Sequence, residues 1–492
     1  MNGSMKKAAV GSLAVATMLA AAGCSKKQQD PVQAAAQALD IANTQSIEYA
    51  GAGSWYQFGQ APAPSLAWPQ YELSQYVADV NFETSSAQVQ IARKQLVEPN
   101  RVRPVAVEQK PQQFVSGDVA WNLAVPNNTA PGTAPTVSPQ FAAVEERQAE
   151  IWATPHGFLK AAIANHAIAK AIDGATEVSF TLDGKYHYVG ILNAKNEVER
   201  VQTWIDNPIL GDTLVETRYS AYNDFDGVKF PSHIERTQGS HKVLELDVKQ
   251  VKRNPSVDIA VPIEVAQAKA VPVVDTEIAK GVHYLTGGSH HSVAIEQKDH
   301  VVVVEAPLDE ARSLAVIAKV KEVIPNKPIK YLINTHQHFD HSGGLRSYVD
   351  EGSTIVTHEG NVEFYKTAWA APHSIHPDRL SESKKTASFE PFTAKHVLSD
   401  GARTIEVHEI AGNTHNDAFA LVYLPAEKIL IEADAYTPLP AGSPAPANAN
   451  PYSVNLYENL QKLSLDVEQI APLHGPGAVA LNDLKLAIGK SD

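Results

Sequence analysis

The sequence predicts an α/β domain at the C-terminus, preceded by a mainly antiparallel β domain. From Thr176 onward, short segments that alternate apolar and polar residues are separated by Gly, Asp and Asn turns, as in an antiparallel meander. Further along, apolar β-prone segments such as VVVV at 301–304 precede a helical segment at 308–323. The Pro- and Val-rich piece at 254–272 is expected to link the two domains.

The first residues have the composition of a secretory signal. Two lysines precede an apolar stretch at 8–22 that is too short to cross a membrane comfortably. The ending AAGC resembles a bacterial lipobox, so we expect residues 1–23 to be removed and Cys24 to carry lipid. Ser25 then favours the periplasmic face of the outer membrane; an ordinary signal peptide with an incidental cysteine is the alternative. Residues 24–37 are predicted to be a tether.

The charge of the chain limits its partners. The formal net charge is −14, and removal of residues 1–23 takes away two lysines and no acid, which brings it to −16. An acidic surface repels phosphate backbones, so no nucleic-acid partner is expected. The expected partners are a small-molecule substrate and, through Cys24, the membrane. With 44% hydrophobic residues the chain has enough apolar material for two cores. The oligomeric state stays open.

Residues 38–253 are predicted to form the β-rich N-terminal domain. Its predicted strands are EVSFTL, KYHYVGILN, EVERVQTWI, LVETRYSAY, VKFPSHIERT and KVLELDVKQV. The end of this region, at 219–258, is similar to a periplasmic lipoprotein half-barrel of the LolA-like type. Such barrels enclose a hydrophobic hollow, which implies capture of lipid or substrate. A structural spacer is the alternative.

Four potential metal ligands stand together in the string THQHFDHSGGL at 335–345, namely His336, His338, Asp340 and His341. Imidazole nitrogens suit zinc and related ions, and a carboxylate can complete the shell of a second metal. The preceding segment IKYLIN is apolar and β-prone, and it follows a proline. We therefore expect these residues on a loop at the carboxyl end of a strand, with Asp340 and His341 opening the next helix.

Three more candidate ligands follow downstream. His415 stands in GNTHND, Asp434 in EADAYTP and His474 in PLHGPG, each at or just beyond a predicted strand end. Singly, each is more often an ordinary loop or capping residue. Together with the first cluster they form an ordered set of ligands on loops after strands.

This ligand pattern is similar to that of the metallo-β-lactamase superfamily, over residues 273–492. The resemblance implies a four-layer αββα sandwich with the metals at one edge of two packed sheets. It also implies two metal sites, the first held by His336, His338 and His415 and the second by Asp340, His341 and His474, with Asp434 bridging both. One departure is Glu305, which stands in EAP where the family often has Asp in a DTG-like stretch. The support of the metal loop is therefore expected to differ.

Both metals are expected to be zinc, with iron or manganese as alternatives. Such ions bring the pKa of a bound water down to roughly 7, and a hydroxide held between them would attack the substrate while a metal stabilises the developing oxyanion. Asp340 would orient the attacking water. Tyr436 is a candidate donor to the oxyanion, with packing at a strand end as the alternative. His290 and His291 are further residues that would face the metals from an early loop.

The cysteine content of the chain narrows the class of substrate. Its only cysteine is Cys24, which excludes the zinc β-lactamases that place a cysteine on the second metal. A bridging carboxylate such as Asp434 is more like that of glyoxalase II, lactonases and phosphodiesterases. We expect an ester, lactone, thioester or amide-type substrate. The insertion at 361–396 and the Pro/Ala-rich run at 437–451 are candidate walls of its binding site.

The predicted function is therefore an envelope-anchored dinuclear zinc hydrolase. A mononuclear iron oxygenase of the same fold, similar to a persulfide dioxygenase, would use only part of the ligand set. A non-catalytic lipid-binding lipoprotein with a relict hydrolase domain is the third possibility.

Overall fold

The computed structural model describes residues 30–125, 132–440, 442–443 and 448–490. The predicted signal peptide, Cys24 and the start of the predicted tether lie outside these residues. The first helix, α1 (Pro31–Ala38), begins inside the stretch expected to be a tether, because Val32 and Ala35 on its apolar face are buried in the N-terminal core. Over the described part of the chain, no helix is long and apolar enough to cross a bilayer.

A large antiparallel sheet dominates the N-terminal part, as predicted. Among the residues described, its thirteen strands are β1 (Ser46–Tyr56), β2 (Gln70–Asn81), β3 (Ser86–Gln95), β4 (Gln112–Ser116), β5 (Val119–Ala124), β6 (Thr136–Pro139), β7 (Ile168–Ile172), β8 (Ala175–Leu182), β9 (Tyr186–Leu192), β10 (Val198–Asn207), β11 (Gly211–Phe225), β12 (Val228–Gln238) and β13 (His241–Arg253). The chain starts at the centre of the sheet, runs outward to β6, crosses to β7 and returns by hairpins until β13 pairs with β1. The six predicted strands correspond to β8–β13.

Two helices make the crossover between the edges of this sheet. They are α2 (Val144–Ala153) and α3 (Pro155–Ala164), preceded by a short 3₁₀ turn (Phe141–Ala143); another such turn, Ile41–Asn43, follows α1. The hydroxyl of Thr154 accepts a hydrogen bond from the backbone N–H of Gly157 and so caps α3. The apolar faces of both helices cover the sheet, where Phe158 packs in one core with Phe230.

The C-terminal part contains two sheets. The first consists of β14 (Val274–Ala279), β15 (Val282–Thr286), β16 (Ser292–Glu296), β17 (Val301–Val304), β18 (Ile329–Ile333), β19 (Thr354–His358) and β20 (Ser388–Phe392), in that spatial order. The second consists of β21 (Lys395–Ser399), β22 (Thr404–Glu409), β23 (Ala420–Leu424), β24 (Ile429–Glu432), β25 (Gln469–Pro472) and β26 (Val479–Ala480). The helices are α4 (Ile263–Ala266) in the predicted linker, then α5 (Glu310–Val323), α6 (Phe339–Ser342), α7 (Leu345–Glu351), α8 (Glu359–Ala368), α9 (Arg379–Ser383), α10 (Pro451–Lys462) and α11 (Leu481–Ala487).

The alternation of side chains along β17 builds the layers. Val302 and Val304 pack in the core between the two sheets, whereas Val301 and Val303 pack in a second core with α5 and α7. On the far side, α10 and α11 cover the second sheet through Leu456 and Leu484. The αββα sandwich that the resemblance implied is therefore the architecture of this part of the chain.

The insertion at 361–396 is not a free lid. It contains most of α8, all of α9 and β20, and β20 extends the first sheet by pairing in parallel with β19. Its aromatic side chains Tyr365, Trp369 and Phe389 stack on one another against the sheet. Most of its aromatic residues therefore pack the core.

Candidate metal centre

The string at 335–345 occupies the position expected for it. β18 ends at Ile333, an extended loop follows, and Asp340 and His341 lie on the short helix α6. Gly343 and Gly344 follow, and here the chain packs so closely against the start of α5 that a side chain would not fit. A Cβ on the first glycine would overlap the carbonyl of Leu308, and one on the second would overlap the hydroxyl of Ser313.

The other three candidate ligands meet this loop because of strand direction. His415 lies between β22 and β23, and Asp434 lies two residues beyond β24. His474 lies two residues beyond β25, which runs parallel to β24. The carboxyl ends of parallel strands share one sheet edge, so Asp434 and His474 emerge side by side.

One group of possible ligands consists of His336, His338, His415 and Asp434, whose ligand atoms all lie within 4.8 Å of one another. Asp434 Oδ2 is 2.9 Å from His415 Nε2 and 3.4 Å from His336 Nε2. Within the described structure, His338 Nδ1 is buried without a hydrogen-bond partner, and the buried His336 Nε2 and His415 Nε2 face Asp434 Oδ2 without forming a hydrogen bond of good geometry. Buried ring nitrogens left unpaired are unfavourable unless a cation binds them, and three imidazoles with one carboxylate are a donor set that suits zinc.

A second group consists of His290, Asp340, His341 and His474, again within 4.8 Å. His341 Nε2 lies 3.0 Å from His474 Nε2. Asp434 reaches this group as well, because Oδ1 is 2.9 Å from His474 Nε2 and Oδ2 is 3.2 Å from His341 Nε2. The carboxylate of Asp434 therefore lies between two complete sets of ligands, where a bridging carboxylate would have to be.

The two early histidines differ in their placement. His290 Nε2 lies 3.3 Å from Asp340 Oδ2, and its Nδ1 lies 2.8 Å from the hydroxyl of Ser289. His291 turns away and donates from Nε2 to the carbonyl of Gly475 at 2.8 Å. Only His290 faces the second group of ligands, whereas His291 holds the loop that follows His474.

The protonation states also suit a cation. Burial, and next the charge of His341, lowers the pKa of His336 to about 3, and burial lowers the pKa of His338 well below its usual value. Burial alone would raise the pKa of Asp434, but the imidazoles of His341, His474 and His415 hold it well below its usual range. Neutral His336 and His338 and an ionised Asp434 are in the states that bind metals. Burial alone would lower the pKa of His341, but the carboxylates of Asp434 and Asp340 raise it well above its usual value, so this imidazole must lose its proton when it binds a metal.

Glu305 supports both groups from behind. It is fully buried, and its φ of 73° is in the left-handed region. Its carboxylate accepts hydrogen bonds from Asn334 Nδ2 at 3.1 Å and from the Thr335 hydroxyl, and it lies 3.5 Å from His341 Nδ1. The same hydroxyl is 2.9 Å from His336 Nδ1. The glutamate in EAP thus orients one imidazole of each group, in the manner of outer carboxylates at metal sites.

Tyr436 packs in the core near the end of its strand. Its side chain is 5% exposed and belongs to the core between the sheets. Burial, and next the charges of Asp483 and Glu432, raises the pKa of its hydroxyl to about 12. This placement agrees with strand-end packing, and its role as an oxyanion donor stays a prediction.

The N-terminal domain contacts the candidate metal centre through two groups that were not identified from the sequence. Gln60 Nε2 donates to Asp340 Oδ1 at 2.7 Å, and the carbonyl of Ala61 lies 3.0 Å from His338 Nε2. Both residues stand in the stretch GQAPAPS, which has no ligand spacing or catalytic motif. A glutamine amide and a backbone carbonyl have no sequence signature, so these two contacts could not be predicted.

Part of the chain is similar to known proteins. The sequence profile of the metallo-beta-lactamase superfamily matches residues 285–474. Among curated proteins, the 2,4-dinitroanisole O-demethylase subunit alpha of Nocardioides sp. (strain JS1661) is 26% identical over 164 residues, which is 33% of this chain. The match spans 46% of that protein, less than half of its length.

Solved structures match less than half of this chain. A metallo-beta-lactamase from Pontibacter korlensis is 20% identical, with 44% of this chain and 97% of that chain covered and a TM-score of 0.34. The lactamase FIM-1 from Pseudomonas aeruginosa, in its mono-zinc form, is 20% identical, with 45% and 95% covered and a TM-score of 0.35. The rubredoxin oxygen:oxidoreductase of Desulfovibrio gigas is 17% identical, with 44% and 59% covered and a TM-score of 0.35.

Proposed function

Residues 285–474 belong to the metallo-β-lactamase superfamily, whose members are usually metal-dependent hydrolases or oxidoreductases, and from this premise we propose that the chain is a dinuclear zinc hydrolase. The observation that carries the proposal is the position of Asp434 between two complete sets of ligands. An enzyme that uses one ion needs only one of these sets. An intact second set therefore favours a two-metal reaction over a mononuclear oxygenase.

The chain's own residues suit attack by water on a carbonyl-type centre. When bound, the two ions would supply a water of lowered pKa and Lewis acids for the developing oxyanion. Asp340 is held at Oδ1 by Gln60 and faces His290 at Oδ2, so its carboxylate is fixed in direction and can orient the attacking water. Burial of His336 and His338 excludes bulk water from the inner side of the site.

We propose esters, lactones, thioesters or amides as substrates. The support is the bridging position of Asp434 and the lack of any cysteine besides Cys24. The name of the curated relative adds one compound to be tested, 2,4-dinitroanisole, although the match covers only part of both proteins.

Zinc-loaded protein is expected to bind about two ions per chain and to hydrolyse at least one member of a panel of esters, lactones, thioesters and amides. The panel also contains β-lactams, phosphodiesters, sulfate esters and 2,4-dinitroanisole. Metal content is measured by elemental analysis, and hydrolysis by product formation. The His338→Ala protein is the control, because a contaminating hydrolase would survive that change.

Two other results would redirect the assignment. About one iron per chain, together with oxygen consumption on a persulfide, would replace the hydrolase by an oxygenase. Cleavage of phosphodiesters alone would overturn the preference for carbonyl substrates. Absence of both bound metal and activity would leave the non-catalytic lipid-binding lipoprotein as the remaining hypothesis.

We also propose that the protein is anchored in the cell envelope through lipid on Cys24. The support is the order of charged, apolar and small residues before this cysteine. In a Gram-negative host, the wild-type chain is expected to incorporate labelled fatty acid and to sediment with outer membranes, whereas Cys24→Ser is expected to do neither. Soluble, unlabelled wild-type protein in the periplasm would indicate an ordinary signal peptide instead.

A further inference from the structure

The loop between β1 and β2, residues 57–69, leaves the N-terminal sheet and contacts the metal-binding string of the other domain. The amide of Gln60 donates to Asp340 Oδ1 at 2.7 Å. The carbonyl of Ala61 lies 3.0 Å from His338 Nε2 and accepts a second hydrogen bond from Gln337 Nε2 at 2.8 Å. One short stretch of this loop thus contacts a candidate ligand of each metal.

The contact with Ala61 determines which nitrogen of His338 is available. A carbonyl oxygen can only accept, so Nε2 carries the proton in this hydrogen bond. The other nitrogen, Nδ1, then has a free lone pair, and it is buried without a hydrogen-bond partner in the described structure, in the group with His336 and His415. A carbonyl from the N-terminal domain therefore selects the tautomer that leaves Nδ1 of His338 free to bind a metal.

A second segment of the N-terminal domain, between β3 and β4, holds the loop of His415. The Arg101 guanidinium donates to both carboxylate oxygens of Asp417, at 2.9 and 3.0 Å, and to the carbonyl of Thr414 at 3.0 Å. The Thr414 hydroxyl in turn donates to the carbonyl of Val102. His415 therefore sits in a loop fixed on both sides of it by the other domain.

The two segments are connected to each other through the site. The backbone N–H of Asp417 donates to the carbonyl of Pro62 at 2.7 Å. Gln337, which donates to Ala61, accepts from Asn416 Nδ2 at 2.7 Å. The loops that carry His338 and His415 are thus joined by way of the N-terminal domain.

The 57–69 loop is shaped for this contact at Gly59. Its φ is 73°, and a Cβ there would lie 2.5 Å from the ring of Phe339. Phe339 N–H donates to the Gly59 carbonyl at 3.2 Å, and the rings of Phe58 and Trp68 meet Phe339 edge-on. A side chain at this position would push the loop away from the string.

We propose that the N-terminal domain completes the metal centre, with Gln60 and the Ala61 carbonyl as positioning groups for Asp340 and His338. The inference rests on the metal site proposed above and does not depend on the substrate. It replaces the interpretation of this domain as a structural spacer, because a spacer would not need to contact the metal ligands Asp340 and His338. It also means that the hydrolase domain alone would bind metal poorly.

The test uses the full-length protein and two loop variants with matched controls. Gln60→Met keeps the length of the side chain and removes the donor. Gln70→Met makes the same change within the N-terminal sheet, where the amide donates to the hydroxyl of Ser54. Gly59→Ala displaces the loop. Its control, Gly117→Ala, has a similarly positive φ of 57° in a turn with open space around it. The readouts are zinc affinity by chelator competition, the visible spectrum of the cobalt-substituted protein and thermal unfolding.

We expect Gln60→Met to weaken binding of the zinc held by the group with Asp340 by roughly 10- to 100-fold and to alter the cobalt spectrum. Gly59→Ala is expected to weaken binding of both ions. Both controls should bind zinc as the wild type does. Wild-type affinity and spectrum in both loop variants would overturn the proposal while leaving the metal site intact. A wild type that binds no zinc would overturn the site itself. Loss of zinc only together with general unfolding in both loop variants would show that the loop merely holds the fold, and would also count against the proposal.

Discussion

Replacement of Asp434 by asparagine is expected to lower the bound zinc from about two ions to one or none, and to reduce hydrolysis by about 10³-fold or more. One carboxylate oxygen faces His415 and the other faces His474, so both groups lose a charged donor at once. Asparagine keeps the shape but has a single uncharged oxygen. Elemental analysis of dialysed protein and the rate with a substrate that the wild type cleaves measure the two effects separately.

The matched control is Asp466→Asn, which removes an exposed carboxylate paired with Lys428 in the same domain. It should bind metal and turn over substrate as the wild type does. An Asp434→Asn protein that still holds two zinc ions at full activity would show that this carboxylate is not the bridge.

Replacement of Glu305 by alanine is expected to lower the free energy of unfolding by about 3 kcal/mol, and the zinc affinity by roughly 10- to 100-fold. The change removes one acceptor of Asn334 Nδ2 and the acceptor of the Thr335 hydroxyl hydrogen. It also opens a cavity in a fully buried site. It also frees the imidazoles of His336 and His341 to rotate. Chemical denaturation of the metal-free protein and chelator competition measure the two effects.

Glu305→Gln separates support of the fold from support of the metals. The amide fills the same volume and keeps one acceptor for Asn334, so most of the stability should remain. Its N–H groups face the Thr335 hydroxyl, which can no longer donate there while it accepts from His336 Nδ1. Zinc affinity is therefore expected to fall further than stability does. Equal, small losses of both would mean that the carboxylate only fills space.

The candidate ligands could be predicted because metal chemistry depends on residue type and on local spacing. His336, His338, Asp340 and His341 follow an apolar β-prone run, and the structure places them after β18 and on α6, as the pattern indicated. Asp434 and His474 could be placed at strand ends from the sequence. Their arrival at one edge is due to the parallel pairing of β24 and β25, which links residues far apart in the chain.

Only some strands of the N-terminal β domain could be predicted, because only some of the strand pairings are local in sequence. Hairpins such as β8–β9 pair neighbouring segments, so alternation and turn residues mark them. β1 pairs with β13, about 200 residues later, and it carries Gly51 and Gly53 where its backbone closely approaches that of β13. Glycines interrupt the apolar pattern of a strand, and a pairing over such a distance has no local signature.

The sequence by itself determined which atoms could bind metal, because those atoms belong to side chains with distinctive chemistry and order. The tertiary structure alone decided that Asp434 faces both groups of imidazoles, that Glu305 orients one imidazole in each, and that His290 joins the second group while His291 does not. It also decided that a loop from the other domain reaches His338 and Asp340. That contact is made by a backbone carbonyl and one amide, which any stretch of chain can offer, so only the packing of the two domains selects them.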